Sequence, residues 1–428
     1  MTDQPKHFNA LAPILLMLAL FTPTAYAAGS SDESEIMRSL LDRIEKLEKR
    51  VAELEGSKGK GPAGEAALAA ERPLEPKTAP AAQADPHLQR HAGVTLPDSQ
   101  TYPSFKMSGF SDINFSATDQ KLSRSGFSEG QFVLHVSSAL SSRVAYFGEL
   151  TLTTRPDAGR GNPRITGFDV EVERSIIRFD QSDFFKVSFG RYHTPINYWN
   201  TAYHHGVWLQ TPIVRPVMLG QIIPVHFVGA LAEGTIPASG LNLNYDFGFG
   251  NGRDSIITRA GDAGDANNNR AWLLTLFAKP DALYGLQFGG SVYRDLVTLP
   301  AGRQFREWIG TAHAVWSKET PELIAEFAHV DHREIGRSTN FGTNAFYVHS
   351  AYRLPWFERV VKPYYRFEYT DSSRTDPVFQ GMPDFRGSVI GTRYDLSLFA
   401  ALKAEYRHQR RSAQPNLNGA FVQVSFTF

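Results

Sequence analysis

Between Arg191 and Pro224 the chain reads RYHTPINYWNTAYHHGVWLQTPIVRPVMLGQIIP. The stretch holds two guanidinium groups, Arg191 and Arg215, and three imidazoles, His193, His204 and His205, but no Asp or Glu. From Phe184 to Ala232 the only other charged residue is Lys186. Cations beside a wet passage attract anions, because a low-dielectric surround weakens screening. The imidazoles add positive charge as pH falls below about 6.5. Three imidazoles also suit a transition metal. Adjacent residues on an extended chain point opposite ways, however, so His204 and His205 are poorly placed to chelate together. They read as polar loop residues, and neither a metal nor a cofactor is expected.

Other chemistry is largely excluded. The chain has no cysteine, which removes thiolate catalysis, CxxC zinc sites and c-type haem attachment. GxGxxG, P-loop, HExxH and GxSxG patterns are missing. Asp262–Asn269 (DAGDANNN) is rich in oxygen ligands but lacks the EF-hand spacing, and reads as a surface loop. Nothing places a nucleophile beside a base, so no enzyme is expected. Formal net charge is zero over 428 residues, which points to no nucleic-acid partner.

Three N-terminal segments precede the part that must position Arg191–Pro224. Residues 1–27 have the parts of a secretory signal peptide: Lys6, an apolar run from Phe8 to Phe21, and an Ala25-Tyr26-Ala27 cleavage site. In residues 33–56, Met37, Leu40, Ile44, Leu47, Val51 and Leu54 form an a/d heptad seam. Arg43 and Arg50 at g can pair with Glu48 and Glu55 at e of a neighbour. β-branched a with Leu d leans toward dimers, but the twice-repeated RIEKLE/RVAELE hexad resembles a trimer signature, and a trimeric α-helical coiled coil is expected. Residues 57–104, rich in Ala and Pro, cannot bury enough apolar surface to order and should form a flexible linker.

From Phe105 the pattern alternates with period two. Val361, Pro363, Tyr365, Phe367 and Tyr369 alternate with Lys362, Tyr364, Arg366 and Glu368. Leu402, Ala404 and Tyr406 alternate with Lys403, Glu405 and Arg407, and the chain ends on Phe428. Apolar faces opposed by charged faces are the signature of a transmembrane barrel, in which closure satisfies every backbone group. The predicted fold is all-β: a 16-stranded antiparallel transmembrane β-barrel over residues 105–428. Connectors alternate in length, with Asp331–Gly342 and His408–Leu417 among the longer ones. Residues 191–224 then form the third long loop, and their aromatics need a wall to pack on. Arg174, Arg178, Lys186, Arg366 and Arg407 are candidates to line the lumen. Glu149, Glu368 and Glu405, with Glu171 and Glu173, are the acids that would face them in a transverse field.

The signal peptide, alternating strands, long third loop and terminal Phe resemble Gram-negative outer-membrane porins. The coiled coil, linker and barrel in that order, with SIIRFDQSDFFKVSFGRYHTP entering the loop, look most like the phosphate-selective porin O/P superfamily. The resemblance implies a homotrimer in outer-membrane lipid with a periplasmic N-terminal region. It also implies a constriction at Arg191, His193, His204, His205 and Arg215, and passive diffusion of small hydrophilic or anionic solutes. The coiled coil is then free to touch peptidoglycan or a periplasmic protein. The alternative reading is a sheath or tether, with the barrel surrounding a partner such as a multihaem cytochrome.

Overall fold

Period-two alternation does produce strands here. In the computed structural model they are β1 (Lys106–Thr118), β2 (Gly126–Ala139), β3 (Val144–Thr154), β4 (Phe168–Ser182), β5 (Phe185–His193), β6 (His226–Ile236), β7 (Leu243–Gly250) and β8 (Ala271–Ala278). They continue as β9 (Leu286–Thr298), β10 (Gln304–Ser317), β11 (Glu322–Glu334), β12 (Asn340–Ala351), β13 (Val361–Ser372), β14 (Phe385–Ser397), β15 (Ala400–Arg411) and β16 (Leu417–Thr427). The structure describes residues 102–121, 123–155, 167–204, 206, 209–219, 222–236, 240–253, 264–412 and 414–428. The signal peptide, the heptad seam and all but the last residues of the linker lie outside them, as does His205.

Every strand pairs antiparallel with its neighbours in sequence, and β1 closes on β16. The seam runs from Phe110↔Thr427 to Thr118↔Gly419. Past it, Gly109 and Phe428 exchange two backbone hydrogen bonds at 2.9 Å. The terminal Phe428 ring stacks on Phe132 with centroids 5.7 Å apart. No edge strand is left, so no backbone row is presented to lipid.

The two faces differ as the alternation predicts. On β13, Tyr365 is exposed, while Lys362, Tyr364, Arg366 and Glu368 are buried toward the lumen. Phe179, Phe189, Phe247, Leu276, Phe327 and Ile390 are also exposed on the outer face. At the turn side Phe184, Tyr284, Trp356, Phe357 and Phe399 form an exposed aromatic collar of the kind found at membrane interfaces. Among the described residues no helix is long and apolar enough to cross a membrane.

Two expected loops turn out to be strand over half their length or more. Asp331 pairs with Gly342 and Arg333 with Asn340, so β11 and β12 rise well past the expected boundary. His408 likewise pairs with Asn418. Polar residues there suggested loops, but side chains near the rim face water on both sides and need no apolar face.

One strand breaks the alternation. On β4, Ile177 and Phe179 are exposed, and so are Phe168, Val170 and Val172, which have the opposite parity. A bulge reconciles them: Glu149 pairs with Arg174 and Leu150 with Val172, so Glu173 is the extra residue. Glu171 and Glu173 therefore face the same way as Arg174 and Arg178.

Candidate functional site

The internal loop begins later than its sequence suggests. β5 extends through His193, so Arg191 and His193 are strand residues paired with Val228 and His226. The Thr194 amide donates to the Val225 carbonyl at 2.9 Å, closing the hairpin stem. The boundary was misplaced because Pro195 and the neighbouring aromatics look like loop from their first residue.

This stem leaves the barrel wall. β5 pairs with β4 only as far as Ser175↔Arg191, although β4 continues to Phe168 along β3. On the other side, β6 pairs with β7 only as far as Gly229↔Gly250. Gly190, Gly229 and Gly250 stand in one row across three strands. A Cβ on Gly190 would strike the Ser175 carbonyl, one on Gly229 the Phe249 carbonyl, and one on Gly250 the Val228 carbonyl. Gly190 also has φ +143, which other residues rarely adopt. Beyond this row Arg191, His193 and His226 keep the parity of outward-facing residues such as Phe189, yet His193 and His226 are buried. The stem has inclined inward, and its outer face now looks at the upper wall formed by β3 and β4.

The contacts on that face are specific. Arg191 donates to Glu171 at 2.7 Å and lies 3.3 Å from His226 Nδ1. His226 Nε2 is 2.6 Å and His204 Nε2 3.3 Å from Glu173 Oε1. His193 Nε2 is 3.9 Å from Glu149. The sequence pointed to His193 and His204. It missed His226, at the start of the next strand, and it gave Glu173 only as an opposing charge. The adjacent pair Glu173-Arg174, where the apolar phase slips, was the readable mark of the bulge.

The loop then crosses the lumen. Ile196, Tyr198 and Trp199 are buried in an apolar cluster with Leu273, Tyr293, Ile324 and Tyr347. A helical turn, Trp199–Ala202, starts there, and Glu326 accepts the Tyr198 amide at 2.8 Å and the Trp199 amide at 2.6 Å. Farther on, strand side chains hold the loop backbone. Arg366 donates to the Val214 carbonyl at 2.7 Å, and Arg393 to that of Gln210 at 3.2 Å. Glu405 accepts the Ile213 amide at 3.0 Å, and Glu368 the Val217 amide at 2.5 Å. From the loop side of the barrel, Arg253 donates to the Ile222 carbonyl and to Glu307. Between loop and wall, Trp199, Thr211, Tyr347, His349 and Arg366 surround a cavity with room for about one water.

The candidate lining residues all face the lumen, and their charges are matched locally. Arg174 lies 2.5 Å from Glu149, Arg178 2.7 Å from Asp180, Arg366 2.9 Å from Glu368, and Arg407 2.5 Å from Glu405. Lys186 is 4.0 Å from the exposed Asp183. Arg178/Asp180, Arg366/Glu368 and Glu405/Arg407 are two residues apart on one strand face, so cation and anion sit side by side rather than across the lumen. Arg215 is half-buried in the loop. Desolvation pulls its guanidinium below the ordinary value, and the charge of Glu173 opposes this.

No family model matches the chain, and no curated protein matches it at the sequence level. Solved structures do. The anion-selective porin from Comamonas acidovorans superposes with a TM-score of 0.56 at 13% identity, over 76% of this chain and 100% of that one. The outer-membrane channel DcaP of Acinetobacter baumannii gives 0.54 at 10% identity, over 77% and 99%. Salmonella typhi OmpF, solved with daunomycin, gives 0.51 at 12% identity, over 76% and 98%. The fold is that of outer-membrane porins. At such identities the likeness extends to the barrel and its strand order; the lumen must be read from this chain's own residues.

Proposed function

We propose that the chain forms an outer-membrane channel through which small hydrophilic solutes diffuse passively, with a mild preference for anions. The observation that carries this reading is the internal loop. It folds into the lumen of a porin-type barrel and so narrows it, with Arg366, Arg393, Glu368 and Glu405 of one wall bonded to its backbone. A water-filled lumen of this breadth suits hydrophilic cargo. Arg191 and Arg215, at the stem and in the second half of the loop, are the cations that would bias it. The bias is mild because Arg191, like the neighbouring cations, already has an acid beside it. The same inward-folded loop weighs against the sheath reading, which its loss would favour.

The finer architecture belongs to this proposal too. Residues 1–27 direct export, residues 33–56 assemble three chains in the periplasm, and residues 57–104 tether that coiled coil to the barrel. That order favours a porin of the phosphate-selective O/P type. Purified protein in planar bilayers tests the reading. Conductance steps in multiples of three and a reversal potential on the anion side are expected; a protein that inserts and does not conduct overturns it. Changing Arg191→Glu and Arg215→Glu together should shift the reversal potential toward cations. Unchanged selectivity would remove both residues from the filter.

A further inference from the structure

We propose that Glu173, His193, His204 and His226 form a binding site for a divalent first-row transition ion, with zinc the best match, that staples the internal loop to the barrel wall. Each offers one ligand atom, and these four atoms all lie within 4.8 Å of one another. A four-coordinate zinc site with bonds of about 2.0–2.1 Å needs ligand atoms about 3.3–3.4 Å apart. The His204–Glu173 distance is already 3.3 Å, and His226–Glu173 is 2.6 Å. Small side-chain rotations close the set. Three imidazoles and one carboxylate are ligands of intermediate softness, which favours zinc over magnesium or calcium.

The four ligands come from four segments. Glu173 is the β4 bulge residue, His193 ends β5, His204 follows the helical turn of the loop, and His226 begins β6. No two are adjacent in sequence, so the obstacle to chelation by His204-His205 does not arise. All four are buried, with 4–8% of their surface exposed. The Trp199 ring packs edge-on to His204, with centroids 6.1 Å apart, and shields the cluster from water.

The surrounding charge is compatible. A divalent ion with Glu173 leaves a net single positive charge; around it Arg174 with Glu149 and Arg191 with Glu171 form neutral pairs, and Glu149 lies 3.9 Å from His193. One contact must change. Arg191 approaches His226 Nδ1 at 3.3 Å, so that nitrogen now accepts. Metal on Nε2 requires the proton on Nδ1, and Arg191 then rests on Glu171 alone, to which it already donates at 2.7 Å. Binding would thus join the wall, both stem strands and the loop at one point.

The test uses untagged full-length chain in detergent, stripped with EDTA and titrated with Zn²⁺ against a chromophoric chelator. One zinc per chain is expected. Glu173→Gln and His204→Gln should each weaken binding by at least about tenfold, while His329→Gln, at an exposed position, leaves it unchanged. Heat-modifiable migration on gels reports whether each barrel is folded. Should a variant fail to fold, the wild type still decides through Co²⁺, whose visible bands are intense in a four-coordinate site and weak in an octahedral one. Zinc should also slow chymotryptic cleavage after Tyr203, the residue before the ligand His204, in the wild type, a readout that requires no conduction. Substoichiometric zinc, undiminished binding in the two ligand variants, or weak octahedral Co²⁺ bands overturn the site. Stoichiometric zinc without protection of the Tyr203–His204 bond overturns the staple.

Discussion

The first limb of the internal loop, Thr194–Tyr203, and the second, Leu209–Val217, lie on different walls and are held differently. The first sinks Ile196, Tyr198 and Trp199 into an apolar cluster shared with β8, β9, β11 and β12. The second has few such anchors and rests on β13 to β15 through bonds from charged side chains to its backbone. Burial of aromatic and aliphatic side chains involves no titrating group. Bonds from Arg, Lys and Glu depend on the protonation and pairing of each donor and acceptor. The first limb is therefore the fixed hinge side, and the second is the one whose position solution conditions can alter.

The comparison is broken most strongly at Glu326, the carboxylate anchor of the apolar limb, which Asn197 and Thr275 supplement with neutral hydrogen bonds. Its buried carboxylate accepts the two amides that open the helical turn, where an acid also meets the positive end of the turn. Glu326→Ala strands both amides in an apolar site. At about 1–3 kcal/mol for each unsatisfied donor, roughly 2–6 kcal/mol is lost. The loop should leave the lumen, and single-channel conductance should rise severalfold. Conductance equal to that of the wild type would show that Trp199 and its neighbours hold the limb without the cap.

Much of this was legible in the residues. Charged-against-apolar alternation in segments such as Val361–Tyr369 gives the strands, their facing and the closed barrel, because a lipid-facing row tolerates few charges. The place of the loop follows from counting strands. The stem was not legible, because its cause is collective. Gly190, Gly229 and Gly250 are unremarkable singly and matter only when register aligns them. Nor does alternation reveal that Glu173 and His226 meet. One depends on a bulge and the other on a strand that has turned inward. The ion pairs were within reach: Arg178/Asp180, Arg366/Glu368 and Glu405/Arg407 are spaced to share a face, and same-face neighbours pair before they act across a lumen.

A smaller effect is expected from the polar wall. Arg366→Met removes the donors to Val214 and Arg215 and the partner of Glu368 while keeping much of the side-chain volume. About 1–3 kcal/mol of local stability is at stake. The second limb should become mobile while the first stays packed. Amide exchange should therefore quicken at 213–217 and remain slow at 198–203; equal acceleration in both limbs would mean that they move as one body.

The smallest effect concerns the foot of that wall and is read through pH. Glu319, in the turn between β10 and β11, accepts from Arg353 at 2.6 Å and from Lys362 at 3.1 Å. Lys362 also donates to Glu322, which accepts the Thr211 hydroxyl of the second limb at 2.8 Å. Desolvation would raise the Glu319 carboxyl, but the Arg353 hydrogen bond and the Lys362 and Arg353 charges outweigh it and hold it below its ordinary value of 4.5. A carboxyl depressed in the folded state contributes its full stability above 4.5, and loses it as pH falls through the lower folded value. The second limb should thus loosen in acid below that range. The Glu319 carboxylate is a quarter exposed, so solvent screening keeps its share to about 1 kcal/mol or less. Glu319→Gln should flatten the acid limb of a denaturant-midpoint profile and leave the neutral region within that margin. A profile as steep as that of the wild type would assign the acid sensitivity to another carboxylate of the wall.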